Sequence, residues 1–326
     1  MSLNRKLKYS LAINEAINQA MEKDESVFLI GQGVESPWYV GNTCLGLIEK
    51  YGRERVIDTP VSENAITGAA VGAAIAGMKP IIVHPRFDFL LYACDPIINE
   101  AANWNYMNGG RLSVPVVFWP IINRGGEQAA QHSQALQAIF AHIPGLKILA
   151  PSNAYDAKGL MISSIFDPNP VIFVDDRWLY NTEEIVPENF YDVPIGKANI
   201  ISEGTDLTLI SYSFMITQCK KAIEELKNRY SIELIDLRTI KPIDIETIKK
   251  SVNKTGKVVV VDATWKSFGV SSEIVALIND YCFSSLKTSV KRVTLPDCPA
   301  PAASTLEEVY YPDYKNIINT INEILL

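Results

Sequence analysis

The sequence predicts an α/β protein of two tandem three-layer α/β/α domains. Three observations lead there. The chain has 326 residues, enough for two cores at about 150 residues per domain. Short, near-continuously apolar runs alternate with segments of helical period, the pattern of parallel sheets covered on both faces. One polar, aperiodic stretch, about residues 180–195 with Pro187 and Pro194, interrupts the alternation and reads as a linker. The expected domains are therefore residues 1–185 and 196–326.

The elements follow in order. Ile13, Ile17, Ala20 and Met21 recur at helical spacing and define the first helix. Residues 27–30 form an apolar strand closed by Gly31. Residues 63–77 form an Ala/Gly-rich helix ended by Lys79-Pro80, and 81–83 are the next buried strand. A helix at 91–106, a strand at 114–119, a helix at 133–140 and a strand at 147–150 come next. A helix at 154–166 and a strand at 171–174 complete the first half. Beyond the linker, strands at 206–211, 233–236, 257–261 and 290–294 alternate with helices at 215–229, 244–252, 270–281 and 314–325.

Composition excludes several classes. Apolar residues at 48% and charged residues at 21% are incompatible with a disordered chain. The net charge of −7 argues against nucleic acid or an anionic membrane as the main partner. The longest uncharged apolar stretch, residues 65–78, is too short to span a bilayer. No basic segment followed by an apolar one opens the chain, so no signal peptide is expected. Five cysteines at wide, irregular spacings suit reduced thiols in a cytoplasmic protein, not a disulfide framework or zinc knuckle.

Common catalytic signatures are missing: the sequence has no Walker loop, no H-E-x-x-H and no G-x-S-x-G. Gly31-Gln32-Gly33 follows a strand but lacks the third glycine of a dinucleotide fingerprint. His132, in A-Q-H-S-Q, sits at a loop-to-helix junction after a strand, where doubly wound sheets place ligands. Local sequence leaves a functional and a capping role open for it. His84, ending a strand beside Pro85 and Arg86, is open in the same way, whereas His142 reads as a turn residue. Glu63 opens the Ala/Gly-rich helix. The helix dipole alone accounts for a carboxylate there, but the helix behind it is apolar all round, so Glu63 is expected at a buried end.

Ordered motifs then carry a resemblance over both domains. They include R-V-I-D-T-P-V-S-E, A-V-G-A-A-I-A-G-M-K-P, D-P-I-I-N-E-A-A, A-Q-H-S-Q and P-G-L-K-I-L-A-P-S-N-A-Y-D-A-K-G-L. P-I-G-K-A, E-G-T-D-L-T-L-I-S-Y, I-D-L-R-T-I-K-P-I-D and G-K-V-V-V-V-D continue past the linker. The chain resembles the β subunits of the thiamine-diphosphate-dependent component of 2-oxo acid dehydrogenase complexes, among them the pyruvate, branched-chain and acetoin enzymes.

The resemblance implies a pyrimidine-binding domain followed by a transketolase C-terminal-type domain. It implies decarboxylation of a 2-oxo acid such as pyruvate and reductive acylation of a lipoyl group. Glu63 matches the glutamate that hydrogen-bonds N1′ of the cofactor's aminopyrimidine, Phe89 an aromatic packed on that ring, and His132 a histidine at the site's mouth. Ser164, Asp167 and Asn169 match a loop that holds a monovalent cation, K⁺, in some members. The diphosphate end, read elsewhere in the superfamily through Mg²⁺ by a G-D-G motif and an Asn pair, has no counterpart in this sequence. An α subunit is therefore expected to hold Mg²⁺, most simply in an α₂β₂ assembly with a β–β contact through residues 69–76. A lipoyl-bearing acyltransferase is a further expected partner. The alternatives are an acetoin-cleaving or transketolase-like C–C lyase or transferase subunit, or a non-catalytic scaffold. Two departures stand out. Gln32 replaces an acidic residue that would link the active sites together with Glu63 and Asp95. In V-H-P-R-F-D-F, Arg86 has two readings, a substrate carboxylate or a pair with Asp88.

Overall fold

The computed structural model describes residues 5–325. An eight-stranded sheet runs in the order Thr239–Lys241, Lys147–Leu149, Val171–Phe173, Val117–Ile122, Lys79–His84, Val27–Gln32, Val56–Thr59, with Asp175–Asp176 continuing beside Val117–Ile122. All pairings within it are parallel except Thr239–Lys241 against Lys147–Leu149. A five-stranded sheet in the order Asn199–Ser202, Ile232–Asp236, Leu207–Ser211, Val258–Trp265, Lys291–Leu295 organises the second half. Helices cover both, giving the expected α/β architecture.

Packing follows the periodicity. Tyr9, Ala12, Ile13, Ala16, Ile17 and Ala20 of helix Tyr9–Lys23 are wholly buried, and this helix packs on Ala154–Ile165. Each such large apolar side chain contributes about 1.5–3 kcal/mol of transfer free energy. Trp119, Phe118 and Phe173 are fully enclosed in the central strands.

Several boundaries differ from the sequence expectations. The strand expected to stop at Gly31 continues to Gln32. A Cβ at Gly31 would lie 2.5 Å from the Val83 carbonyl oxygen, so the glycine serves close strand approach, which accounts for Gly-Gln-Gly without a nucleotide. The helix expected at 91–106 is a composite of 3₁₀ turn Phe87–Ala93, π segment Asp95–Ala101 and α-helix Ala102–Met107. Pro96, which has no N–H, sits in the first turn of the π segment. The helix expected from 133 begins only at Gln137, because the Gln134 N–H donates to Asp88 Oδ1 (3.1 Å) instead of joining a helical ladder. The stretch at 180–195 is not wholly irregular: Glu183–Ile185 pairs antiparallel with Lys6–Lys8. Strand Thr239–Lys241 belongs to the second half of the chain yet joins the first half's sheet. All five cysteines are free thiols.

Candidate active site

Glu63 is the first residue of helix Glu63–Ile75, which follows strand Val56–Thr59. A carboxylate is favoured there by the helix dipole. The buried end expected from sequence is corrected: Glu63 is half-buried. One helix face, Ile66, Thr67, Ala70, Val71 and Ala74, is inside, while Ala65, Gly68, Ala69, Gly72, Ile75 and Ala76 are exposed. A helix apolar all round thus has a side that its own chain does not cover. Among the described residues, no hydrogen-bond donor reaches the Glu63 carboxylate, so it is free to meet a ligand.

Phe89 lies in the adjoining 3₁₀ turn. Asn64 Nδ2 donates to the Tyr92 carbonyl (3.3 Å), tying the first turn of the Glu63 helix to that segment. Phe89 is half-buried and meets His132 edge-on, ring centroids 5.4 Å apart and planes at 90°. Asp88 fixes this pair: its Oδ1 accepts from both the backbone N–H (3.1 Å) and the Nε2 (2.9 Å) of Gln134, two residues beyond His132. Burial raises the Asp88 carboxyl above its ordinary pKa.

The loop bearing His132 leaves strand Val117–Ile122 with Glu127 and Ala129 in left-handed conformation, a backbone cost that other contacts must hold in place. Arg124 is buried, ion-paired with Asp176, and donates Nη1 to the Ala263 carbonyl of the second domain (3.0 Å). The Glu127 N–H meets both carboxylate oxygens of Glu307, at 3.2 and 3.1 Å. Sequence reasoning missed Arg124, Asp176 and Glu307. The one available signal was Asp175-Asp176-Arg177 at the end of a buried strand, where adjacent carboxylates are costly unless paired. Asp175 is wholly buried, accepts from Tyr180 Oη (2.7 Å) and Trp119 Nε1 (3.1 Å), and is pushed up to about 7 by burial.

The structure therefore gathers Phe89 and His132, with Glu63 on the neighbouring helix, at the C-terminal edge of the sheet, where open α/β sheets bind ligands. It does not bring Ser164, Asp167 and Asn169 there. Ser164 lies in the last turn of helix Ala154–Ile165 and Asp167 and Asn169 follow it at the opposite edge, beside Lys147, the first residue of its strand. Ser164 Oγ donates to the Leu160 carbonyl (2.7 Å), and Asp167 is ion-paired with Lys147. The Lys147 ammonium already supplies the charge that a monovalent cation would bring. Among the described residues, no group of three or more His, Cys, Asp or Glu side chains could hold a metal.

The transketolase pyrimidine-binding domain matches residues 5–183 and the transketolase C-terminal domain residues 196–317. The acetoin:2,6-dichlorophenolindophenol oxidoreductase subunit beta of Cupriavidus necator is 41% identical over 324 residues, covering 96% of each chain. The pyruvate dehydrogenase E1 component subunit beta of Rickettsia bellii is 39% identical, over 96% of this chain and 97% of its own. The chain belongs to this family of beta subunits. The fold agrees: a solved structure titled split gene transketolase, inactive beta4 tetramer, superposes with a TM-score of 0.79 at 18% identity, covering 98% of both chains.

Within the family frame, the departures acquire positions. Gln32 ends its strand half-buried, and Asp95 is exposed at the start of the π segment, bonded to Asn99 Nδ2 (2.7 Å). His84 is buried, with Nε2 3.2 Å from Thr67 Oγ1 and Nδ1 unpartnered; burial lowers its pKa to about 3, so it is a neutral wall residue. No described helix is long and apolar enough to cross a membrane.

Proposed function

We propose that this chain is the β subunit of a thiamine-diphosphate-dependent 2-oxo acid dehydrogenase component, active only with an α subunit. The observation that carries this reading is the unpartnered Glu63 carboxylate at a helix start, beside the Phe89–His132 pair, in a chain whose full length matches the family. These residues fit the aminopyrimidine end of the cofactor: a carboxyl free to share a proton with a ring nitrogen, and an aromatic to pack on the ring.

When bound, the cofactor supplies a thiazolium carbon that attacks the substrate carbonyl and stores the electrons of decarboxylation. This chain's residues govern protons around it. Glu63 would share a proton with N1′ of the aminopyrimidine, which would favour the imino form and so supply a base close to the thiazolium. Phe89 sets the ring plane. His132, held by the Asp88–Gln134 bonds, serves the mouth of the site, where the lipoyl group arrives.

The partner assignment has physical support. Added Cβ atoms at Gly68 and Gly72 would meet nothing, so the outer helix face can receive another backbone closely. Exposed Val61, two residues before the helix, adds apolar surface there. A β–β contact through residues 69–76, with α subunits completing an α₂β₂ assembly and holding Mg²⁺, accounts for this surface and for the missing diphosphate motif. A lipoyl-bearing acyltransferase would take the acyl group, and the cytoplasm is the proposed compartment. The reading includes no cation at Ser164, Asp167 and Asn169, because Lys147 neutralises Asp167.

The test is thiazolium C2 proton exchange in the complex reconstituted with its α subunit. Glu63→Gln keeps the shape but not the proton relay, and is expected to slow exchange roughly 10²–10⁴-fold. Unchanged exchange would refute the assignment.

A further inference from the structure

Arg86 is where V-H-P-R-F-D-F departs from the family pattern, and the structure decides against the pair with Asp88. Arg86 Nη1 donates only to the neighbouring Pro85 carbonyl (2.8 Å), and its Nε is buried without a partner. No ion pair to Arg86 forms among the described residues. The nearby carboxylates make their contacts elsewhere: Asp176 pairs with Arg124, Asp175 accepts from Tyr180 and Trp119, and Asp88, which attracts Arg86 without a hydrogen bond, accepts from Gln134 at Oδ1 and leaves Oδ2 unpartnered.

A second guanidinium stands close by. Arg177 Nη2 donates to the carbonyls of Trp38 (2.9 Å) and Tyr39 (2.7 Å), and its Nη1 to Asn123 Oδ1 (3.3 Å), all neutral acceptors. Burial, and then repulsion from Arg177, lower the Arg86 pKa more than attraction from Asp88 raises it. The Phe89 N–H donates to the Arg86 carbonyl (3.2 Å), so Arg86 lies one tight turn from the ring that meets His132. Two guanidinia that form no ion pair of their own, at one rim, make a position that an oxyanion would neutralise.

We propose that Arg86, backed by Arg177, binds an anionic group that the carbonyl substrate keeps through the reaction: a distal carboxylate or a phosphate. A guanidinium paired with the carboxylate that departs as CO₂ would stabilise the ground state more than the transition state, in which that charge disperses. A retained anion carries no such penalty and gives specificity. The oxyanion site is read from the hydrogen-bond partners of Arg86 and Arg177; its assignment to the substrate rests on the thiamine diphosphate reading.

Thermal melts of the full chain, with inorganic phosphate and glutarate as probes against chloride at equal ionic strength, test the site itself. The wild type is expected to gain a few degrees with phosphate, glutarate or both, and which probe acts tells phosphate from carboxylate. Arg86→Met is expected to melt higher than wild type in chloride, being relieved of an unpaired cation, and to lose the anion response. Arg86→Lys is expected to keep part of it. In the complex with the α subunit, kcat/KM for 2-oxoglutarate against 2-oxovalerate, which lacks the terminal carboxylate, tests specificity for a carboxylate-type anion. If glutarate is the active probe, Arg86→Met is expected to lower the first roughly 10- to 100-fold and the second less than about 2-fold. No wild-type response to either anion, a response retained by Arg86→Met, or equal loss for both donors would overturn the proposal. Failure of the cofactor reading would show separately, as absent C2 proton exchange in a wild-type complex whose anion response persists.

Discussion

Two buried carboxylates, Asp88 in the first half of the chain and Asp262 in the second, have contrasting surroundings. Asp262 in the second domain accepts from Tyr212 Oη (2.6 Å) at one oxygen, and from Thr264 Oγ1 (2.7 Å) and the Ser271 N–H (2.9 Å) at the other. In the same domain, Thr208 bonds both Ser251 and Thr255. Around Phe89 and the Glu63 helix the accounts stay open: Asp88 Oδ2, His84 Nδ1 and Arg86 Nε are buried without partners. Satisfied buried polar groups fix a scaffold, and unsatisfied ones gathered at a sheet's C-terminal edge mark where a ligand or second chain completes the structure.

The contrast is sharpest at His132. In the reconstituted complex, His132→Ala is expected to keep thiamine diphosphate affinity within a few-fold while lowering lipoyl acylation about 10²–10⁴-fold. Calorimetry beside an acylation assay checks it, and a large loss of cofactor affinity would move His132 to the cofactor itself. Asp262→Ala should do the reverse. It strands three buried donors, and is expected to cost about 3 kcal/mol or more in denaturant unfolding. Asp88→Ala releases fewer bonds and is expected to cost about 1–2 kcal/mol, yet to lower turnover, because the Phe89–His132 geometry depends on Gln134. If Asp88→Ala were as destabilising as Asp262→Ala, the division into scaffold and open site would fail.

Much of this was legible in the sequence. Apolar period placed the helices Tyr9–Lys23, Ala154–Ile165 and Val270–Cys282 and the strands between them, because burial and local spacing carry the same information. The strand Thr239–Lys241 was not legible: its partner Lys147–Leu149 is remote in sequence and in the other half of the chain. The pair Lys6–Lys8 with Glu183–Ile185 was hidden for the same reason, being exposed and polar. At the site, Glu63 and Phe89 could be named from the resemblance. Their setting could not, since hydropathy shows that helix Glu63–Ile75 is apolar but not which chain covers its outer face.

Two titrations of opposite sign probe buried groups in the first half. The His84 imidazole is held down at about 3 against an ordinary 6.5, so the unfolded chain binds its proton first. Its contribution to stability is present above pH 6.5 and lost as pH falls toward 3. Asp175 is pushed up to about 7, so its protonated form contributes stability fully present below pH 3.8 and lost as pH rises through 7. Between pH 4 and 6.5, the stability of wild type relative to His84→Gln is expected to rise with pH, and that relative to Asp175→Asn to fall. Denaturant midpoints across this range check both slopes, and slopes of the same sign would contradict the burial argument.

The central claim is that this chain carries the pyrimidine half of a split thiamine diphosphate site, with Glu63 as its proton relay. Titrating the purified chain with thiamine diphosphate and Mg²⁺, alone and then with its α subunit, tests it most directly. The account predicts no tight binding by the chain alone, and metal-dependent binding with C2 proton exchange once the α subunit is added. Tight, metal-dependent binding and 2-oxo acid decarboxylation by the chain without a partner would contradict it.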